Sequence, residues 1–413
     1  MSGKKNKRIY PPKFPTKGRV YLDFASAAPV DEDVKKAMSS ALSLHGNPSS
    51  LHKEGVEAGK AIAVARKKVA DLLCAHPEEI IFTTGGTEGD NIAILGVVRA
   101  FRENNPEATY QPHIVTTAIE HAAVRETCRQ LEKEGVSVTY VMPDEKGIIN
   151  PKDIRAALKP ETILVSVMYA NNEIGTIEPI GEIAREVRHF RKTQNKNSRY
   201  PLFHTDAAQA INYMPIDMRK IDVDLLSFNG SKIYGPRGSG VLYKRRGTPC
   251  IGVYSGGNQE FQMHPGTENT SAIVGLAVAL HKTIRMVGKE AKRLTTIRDY
   301  AFTKLQKQFP KVRINGHTSE RLPNNINISF PGISSELLVI ELDAKGIAVS
   351  SKSACKSDDP DESYVLEALY GKKDNPEDEG SIRISLGRTT TKKDIDALVK
   401  ALTEIFQKMK PWL

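Results

Sequence analysis

Cysteine is scarce in this sequence, and its few thiols are not spaced to work together. The 413 residues include four cysteines, Cys74, Cys128, Cys250 and Cys355. No two form a Cys-x-x-Cys pair, which argues against a zinc or thioredoxin-type site, and we predict no metal site. Few cysteines, and a basic N-terminus that no apolar segment follows, indicate a cytoplasmic protein without a secretory signal.

Long apolar runs are missing as well. No stretch approaches the roughly 20 residues of a membrane span, so we expect no membrane association. Hydrophobic residues make up 39% of the chain and charged residues 26%, which is typical of a folded globular protein. At roughly 100–200 residues per domain, the length predicts two or three domains.

The chain has a basic excess but no nucleic-acid motif. Lysine and arginine number 59 against 49 acidic residues, a net charge of +10. Part of the excess lies in residues 1–19, which we interpret as a flexible, solvated tail; its basic residues are Lys4, Lys5, Lys7, Arg8, Lys13, Lys17 and Arg19. The alternative is attraction to an acidic protein or to RNA. No interleaved aromatic and basic residues support RNA, so we expect no direct nucleic-acid binding.

Strand and helix patterns alternate over residues 79–245. This order predicts an α/β fold with a mainly parallel, doubly wound sheet. A long helix follows, from about Thr270 to Phe309, and then a smaller α+β unit. We therefore predict a large domain over residues 31–285 and a small domain formed by residues 20–30 and 286–413, after the tail of residues 1–19.

Polar residues recur where the predicted strands end. They are Thr87, His121, Asn172, Asp206 and Lys232. Ligands of open α/β sheets bind at the carboxyl ends of the strands, and five such ends are hard to explain by chance. Each residue alone has a simpler interpretation: a single histidine at such a junction is more often a structural hydrogen-bonding group.

A glycine pair precedes one helix. Gly85 and Gly86 follow a strand, and a helix begins near Thr87. Free backbone N–H groups at such a helix start bind anions. The stretch lacks Gly-Lys-Ser/Thr, so it is not a nucleotide P-loop. A plain strand–turn–helix connection explains this stretch alone equally well.

Two residues carry nucleophilic side chains in suitable surroundings. Lys232 follows a buried strand and precedes a Gly-Pro turn; an amine beside apolar residues forms Schiff bases with carbonyl compounds, including pyridoxal phosphate (PLP). Cys355 lies in a small, polar stretch that we expect to be mobile, and Lys352 and Lys356 favour its thiolate. The alternatives are a solvated surface lysine and an incidental exposed cysteine.

The chain resembles the group I cysteine desulfurases, within the class V, fold type I PLP enzymes. The resemblance covers nearly all of the chain from Tyr21 onwards. It rests on Tyr-Leu-Asp at 21–23, Asn-Pro-Ser-Ser at 47–50, Thr-Glu at 87–88, Glu-His at 120–121, Asn-Asn-Glu-Ile-Gly at 171–175, Asp-Ala-Ala-Gln at 206–209, Gly-Ser-Lys-Ile-Tyr-Gly-Pro at 230–236, Ser-Ala-Cys at 353–355 and Ser-Ile-Arg-Ile-Ser-Leu-Gly-Arg at 381–388.

The resemblance implies a large PLP-binding domain and a cofactor site. Lys232 would hold PLP covalently and move protons, and Asp206 would pair with the pyridine nitrogen. His121 would stack on the ring and shuttle protons. The ring hydroxyl would contact Asn172 and Gln209, and the phosphate would contact Gly86, Thr87, Asn229 and Ser231.

The resemblance also implies the substrate, the products and the partners. Arg383 would grip the carboxylate of L-cysteine, and Asn172 would touch the substrate. Cys355 would attack the substrate sulfur, leaving a persulfide and alanine, and pass the sulfur to an iron–sulfur scaffold or a tRNA-thiolation protein. The active unit would be a homodimer in which Thr267 reaches the phosphate in the other subunit.

Three positions depart from the family pattern. Ser231 stands where the family usually has histidine, Asn229 where it has serine, and His264 where it often has arginine. These changes bear on phosphate geometry rather than on the reaction class. The alternatives are a selenocysteine lyase or another class V PLP enzyme, and an inactive scaffold on the same fold. The presence of both Lys232 and Cys355 argues against the scaffold.

Overall fold

The computed structural model describes residues 18–194, 199–351, 363–371 and 379–409. The helices are α1 (Glu32–Ala41), α2 (Lys53–Leu73), α3 (Gly86–Asn104), α4 (Ala122–Lys133), α5 (Pro151–Ala157), α6 (Ile180–Gln194), α7 (Met218–Ile221), α8 (Thr270–Gln308), α9 (Ser335–Ala344), α10 (Tyr364–Tyr370) and α11 (Lys392–Met409). The strands are β1 (Val20–Tyr21), β2 (Ile80–Thr83), β3 (His113–Thr117), β4 (Ser137–Val141), β5 (Thr162–Ser166), β6 (Leu202–Asp206), β7 (Leu225–Asn229), β8 (Gly240–Lys244), β9 (Arg313–Ile314), β10 (Asn325–Pro331), β11 (Ile347–Ala348) and β12 (Glu379–Ser385).

A seven-stranded sheet forms the centre, with the strand order β2-β8-β7-β6-β5-β3-β4. The five strands from β7 to β4 are parallel, whereas β8 is antiparallel to both of its neighbours. Strands such as β5 and β6 are buried along their whole length, as expected when helices cover both faces of a sheet. The predicted α/β fold with a mainly parallel sheet is confirmed.

The sheet collects the ends of distant chain segments at one edge. β6 ends at Asp206 and β7 at Asn229, and the two strands are parallel neighbours. α3 begins at Gly86, shortly after β2, and α4 begins directly after its N-cap residue, His121. Because parallel strands present their carboxyl ends on the same side, these residues surround one site.

Two small sheets join the start of the chain to its C-terminal part. β1 pairs with β11 through Val20 and Ile347, and Asp23 forms a bridge with Ser385 of β12. β12, β10 and β9 form an antiparallel sheet. These pairings fit the predicted grouping of residues 20–30 with the C-terminal part. The boundary at residues 285 and 286 lies inside α8 and stays a prediction.

α8 corrects the expectation that no segment could span a membrane. By length and composition this helix is apolar enough to cross one, but half of its most apolar stretch is buried. α8 packs against α1 and α2, and its buried face includes Ile273, Leu276 and Leu280. A helix buried in this way is typical of the core of a folded domain.

The start of α2 also differs from the prediction. The sequence predicts a helix from about Ser50, capped by the preceding turn, but α2 begins at Lys53. His52 is the cap: its ring nitrogen Nδ1 accepts the N–H of Gly55 at 3.3 Å. A Cβ on Gly55 would lie 2.6 Å from the carbonyl of Asn47, so the preceding turn packs against the helix and does not extend it.

Candidate active site

A cavity of about 150 Å³ opens at the carboxyl edge of the central sheet. Nine of the twelve predicted site residues line it: Gly86, Thr87, His121, Asn172, Asp206, Gln209, Asn229, Lys232 and Arg383. The other lining residues are Ala25, Ser26, Asp90, Met168, Ala170 and Ala208. Ser231 and Thr267 do not line it. The chain thus brings together residues more than 350 positions apart, from Ala25 to Arg383.

Lys232 lies in a tight turn directly after β7. The carbonyl oxygen of Ser26 accepts a hydrogen bond from its Nζ at 2.5 Å. The turn requires a glycine at position 230, because a Cβ there would lie 2.3 Å from Oγ of Ser239 and 2.7 Å from the carbonyl of Pro236. The glycine-containing turn therefore places the amine in the cavity.

Asp206 is the acidic group on the cavity wall. Asp206 is the last residue of β6 and is 7% exposed. Its Oδ1 accepts a hydrogen bond from the N–H of Ala208 at 2.8 Å. Burial raises the pKa of Asp206, while His121 and Lys232 oppose that rise. The two basic groups therefore favour a carboxylate that faces the cavity.

Asp90 is a second buried acid that the sequence reasoning missed. It lies in the first turns of α3, is 1% exposed, and accepts a short hydrogen bond from Ser227 of β7. One ligand atom from each of Asp90, His121 and Asp206 lies within 4.8 Å of the others. Such a trio could hold a metal ion. The amine of Lys232 in the same cavity favours an organic carbonyl cofactor.

The start of α3 forms a cradle for an anion. A Cβ added to Gly86 would lie 3.3 Å from Nδ2 of Asn229, so the backbone and this amide are closely opposed. Oγ of Ser231 donates to Oδ1 of Asn229 at 3.4 Å, although Ser231 itself does not line the cavity. Helix N–H groups, the hydroxyl of Thr87 and a side-chain amide are suitable ligands for a phosphate.

Arg383 also lines the cavity. Its Nη2 donates to Oδ1 of Asp23 at 3.0 Å and to Oγ of Ser26 at 2.7 Å, and Nη1 donates to the carbonyl of Asn172. Two polar atoms here are buried and have no hydrogen-bond partner among the described residues: Nε of Arg383 and Oδ1 of Asn172. Such atoms are expected where a ligand supplies the missing partner.

Asp23 and Ser26 are further residues that the sequence reasoning did not assign to the site. The signal in the sequence was weak, because both lie in a short stretch of small residues, Asp23–Ala28, with no helical or strand periodicity. Asp23 also accepts a hydrogen bond from Ser26 at 2.8 Å. Together they fix the guanidinium of Arg383.

Of the three remaining predicted residues, Ser231 and Thr267 lie outside the lining of this cavity. Thr267 lines a second cavity with His264 and Thr83. Cys355 lies outside the described residues. The buried thiols Cys128 and Cys250 have raised pKa values because of burial, with that of Cys250 near 12, so neither is a ready nucleophile.

The described residues on either side of 352–362 contact the site. Ser350 exchanges two backbone hydrogen bonds with Arg383. At the other end, Ser363 donates to a carboxylate oxygen of Glu173 at 2.6 Å, and the hydroxyl of Tyr364 donates to the carbonyl of Glu120 at 2.6 Å. Glu120 directly precedes His121, so both flanks of the segment that contains Cys355 begin beside the cavity.

Comparison with known proteins identifies the family of this chain. The model of the aminotransferase class-V family matches residues 20–398. The cysteine desulfurase IscS of Dictyoglomus turgidum is 42% identical and covers 95% of this chain and 96% of its own. The chain belongs to the class V aminotransferase family, among the cysteine desulfurases. The IscS of Methanosarcina thermophila is also 42% identical, over 95% of this chain and 93% of its own.

Solved structures agree with the family assignment. A NifS-like protein superposes with a TM-score of 0.84 at 34% identity, and the match covers 94% of this chain and 99% of that protein. The family's fold therefore extends over almost the whole chain. The predicted fold type I architecture is confirmed together with the predicted family.

Proposed function

We propose that this protein is a PLP-dependent cysteine desulfurase that converts L-cysteine to L-alanine and carries the sulfur as a persulfide on Cys355. The observation that carries the proposal is the single cavity shared by Lys232, Asp206, His121 and Arg383. One cavity thus holds an amine, a buried carboxylate, an imidazole and a guanidinium. These are the groups that a PLP enzyme uses to bind its cofactor, bind an amino acid and transfer protons.

The residues present fit the cofactor. The close approach of Gly86 to Asn229 makes a cradle that a larger residue at position 86 would crowd. The unpartnered Oδ1 of Asn172 suits a ring hydroxyl, with Gln209 beside it in the wall. Lys232 would hold the aldehyde carbon and Asp206 the pyridine nitrogen. When bound, PLP supplies an electron sink that stabilises negative charge at the substrate's α-carbon.

The protein's own residues would orient the substrate and move its protons. Arg383 can grip a carboxylate with its guanidinium, to which the unpartnered Nε adds a donor. Asp23 and Ser26 hold Nη2 in place, so the guanidinium is positioned before substrate arrives. Lys232 and His121 line the cavity and can exchange protons with the substrate.

Cys355 would complete the reaction. Its thiolate would attack the substrate sulfur, so that an S–S bond forms and the substrate's C–S bond breaks. The carbon side keeps the bonding electrons and takes a proton, which gives alanine. The flanking contacts of Ser350 and Tyr364 support this role, since they bring both neighbouring segments to the cavity.

The proposal also includes the sulfur acceptor, the cellular location and the oligomeric state. The persulfide would pass to an acceptor protein in iron–sulfur cluster assembly or tRNA thiolation. The enzyme would act in the cytoplasm as a homodimer, with Thr267 serving the site of the other subunit. The position of Thr267 away from the cavity of its own chain supports this arrangement.

Lys232→Ala tests the cofactor assignment. Without the amine, the purified protein should show no visible absorbance of lysine-bound PLP and no release of alanine from L-cysteine. Lys220→Ala, which changes a lysine on the surface helix α7, is the matched control and should behave as wild type. Unchanged visible absorbance in Lys232→Ala would refute the assignment.

Cys355→Ser tests the sulfur carrier. This variant should keep the absorbance of bound PLP but release no sulfur from L-cysteine. In the wild type, mass spectrometry after cysteine treatment should find the added sulfur on the peptide that contains Cys355. Added sulfur on the peptide of Cys128 or Cys250 instead would contradict the proposal, because both thiols are buried.

A further inference from the structure

Asp90 and Asp206 form an acid pair in the wall of the cavity. Only Asp206 has a role in the chemistry described above. Both carboxyl groups are almost fully buried, and their nearest oxygens lie within 4.8 Å of each other. Two carboxylates that are so close together and shielded from water repel each other strongly when both are ionised. One of the two therefore keeps a proton.

The surroundings decide which acid is charged. Asp206 faces two basic groups, His121 and Lys232, which favour its carboxylate. The groups that act most on Asp90 are Asp206, Glu120 and Ser227. The first two are acids, which disfavour a second negative charge, and Ser227 is neutral.

The imidazole of His204 lies beside Asp90 but does not supply a charge. Nε2 of His204 lies 3.6 Å from Oδ1 of Asp90. Burial lowers the pKa of His204 to about 3, so the ring is neutral at physiological pH. Its two nitrogens are already used, by Ser166 at 2.9 Å and Ser227 at 3.3 Å.

We infer that Asp90 is a protonated positioning residue, held by Ser227, that keeps the negative charge of the acid pair on Asp206. Ser227 donates to Oδ1 of Asp90, which leaves Oδ2 as the oxygen that carries the proton. The neutral acid then serves as a hydrogen-bond donor at the inner side of the cavity. The inference rests on the proposed function, because it assigns the charge that Asp206 offers to a pyridine nitrogen.

Burial and the neighbouring charge agree with this assignment. Desolvation, followed by the charge of Asp206, raises the pKa of Asp90 well above its ordinary value. Glu120, the third acid in this region, is also buried and has its pKa raised to about 8, mainly by burial. Of the three acids, Asp206 is the one whose negative charge two basic neighbours, His121 and Lys232, favour.

Asp90→Asn and Asp90→Leu separate a protonated donor from a charged or merely space-filling residue. Asparagine keeps the size and a donor but cannot be charged, whereas leucine keeps only the size. Each variant is prepared as apo-protein and titrated with PLP, and the pH midpoint of the holoenzyme's visible absorbance is measured. Glu178→Gln, at another buried acid with a raised pKa, is the control.

The inference gives opposite results for the two variants. Asp90→Asn should keep the wild-type affinity for PLP and the wild-type pH midpoint. Asp90→Leu should bind PLP about 10-fold more weakly, as expected for a lost hydrogen bond. If leucine prevents folding, Ser227→Ala, which removes the donor to Asp90, should weaken PLP binding in the same direction.

Two outcomes would overturn the inference. If Asp90 is charged in the wild type, Asp90→Asn removes a negative charge and moves the pH midpoint down by roughly one unit or more. If Asp90 only fills space, Asp90→Leu and Ser227→Ala bind PLP as the wild type does. A wild type that does not bind PLP at all would instead refute the proposed function.

Discussion

At the scale of single residues, Asn229 and Ser231 have different roles in the proposed phosphate cradle. Nδ2 of Asn229 would lie 3.3 Å from a Cβ added to Gly86 at the start of α3. Ser231 lies behind it and donates to Oδ1 of the same amide. The amide oxygen accepts from the serine, which leaves the Nδ2 donors turned towards the helix start. Serine at position 231 therefore acts through its neighbour.

Asn229→Ala and Ser231→Ala should differ in their effect on PLP affinity. A hydrogen bond to a charged group contributes roughly 1.5–3 kcal/mol, so loss of Asn229 should weaken PLP binding by about 10- to 150-fold. Loss of Ser231 removes only a neutral contact and should weaken binding by about 10-fold or less. Titration of the apo-proteins with PLP measures both. Equal losses, or a larger loss for Ser231→Ala, would show that the serine contacts the phosphate directly.

The residues that sequence could predict are those at strand ends. Asp206, Lys232 and Asn172 follow buried strands, and the geometry of a parallel sheet places such residues together whatever the loops do. Asp90 lies inside a helix, and its partners Ser227 and His204 come from strands more than 100 residues away. No local sequence pattern predicts these long-range contacts, so the acid pair becomes visible only in the folded structure.

At the scale of elements, the start of α3 is tied to a distant loop. Oε2 of Glu88 accepts the N–H of Thr84 at 2.6 Å and lies 3.3 Å from Nε2 of His264. The other nitrogen of His264 contacts the carbonyl of Phe82 at 3.0 Å. The imidazole thus connects the glycine-rich segment before α8 with the turn that precedes the proposed phosphate cradle.

This connection should make stability depend on pH. The hydrogen bond with Glu88 raises the pKa of His264 above 6.5. Burial alone would raise the pKa of Glu88, but hydrogen bonds from His264 and Thr84 lower it below 4.5 overall. The histidine contribution is complete below pH 6.5 and is lost as the pH rises through the raised pKa. The glutamate contribution is complete above pH 4.5 and is lost as the pH falls through the lowered pKa.

His264→Gln tests the pH window. The free energy of unfolding of this variant should fall below that of the wild type by about 1 kcal/mol between pH 4.5 and 6.5. The two proteins should converge at pH values above the raised pKa of His264. Denaturant titrations across this range measure the difference, and His189→Gln, an exposed histidine, is the control. A deficit that stays constant with pH would show that His264 acts by packing alone.

Element bounds were predictable where caps and periodicity agree. The sequence pattern predicts a C-terminal helix near Lys392–Met409, and α11 has these bounds. α2 starts three residues late because the ring of His52 replaces the expected cap, and histidine is not a common capping residue. α8 ends one residue before the prediction, but its burial between distant helices is not visible from its own composition.

At the scale of the whole molecule, the loop that carries Thr267 follows two exposed aromatic side chains. Phe261 and Tyr254, which precede it, are 53% and 52% exposed. Large exposed apolar side chains in one region mark surfaces that another protein covers. Thr267 lines its own cavity beside this surface rather than the cavity of Lys232. A second copy of the chain is the partner that the proposed homodimer supplies.

Complementation between two variants with different defects in the site tests whether Thr267 acts across the dimer. Lys232→Ala cannot bind PLP covalently, and Thr267→Ala should bind it about 10-fold or more weakly, because a phosphate contact is lost. In a mixed dimer, the Thr267→Ala subunit keeps its lysine and receives the intact threonine of the Lys232→Ala subunit. Co-expression with two affinity tags isolates this mixed dimer, and light scattering confirms its mass. One site per dimer should then bind PLP with wild-type affinity. If Thr267 instead serves its own chain, the mixed dimer has no intact site and binds PLP as weakly as Thr267→Ala.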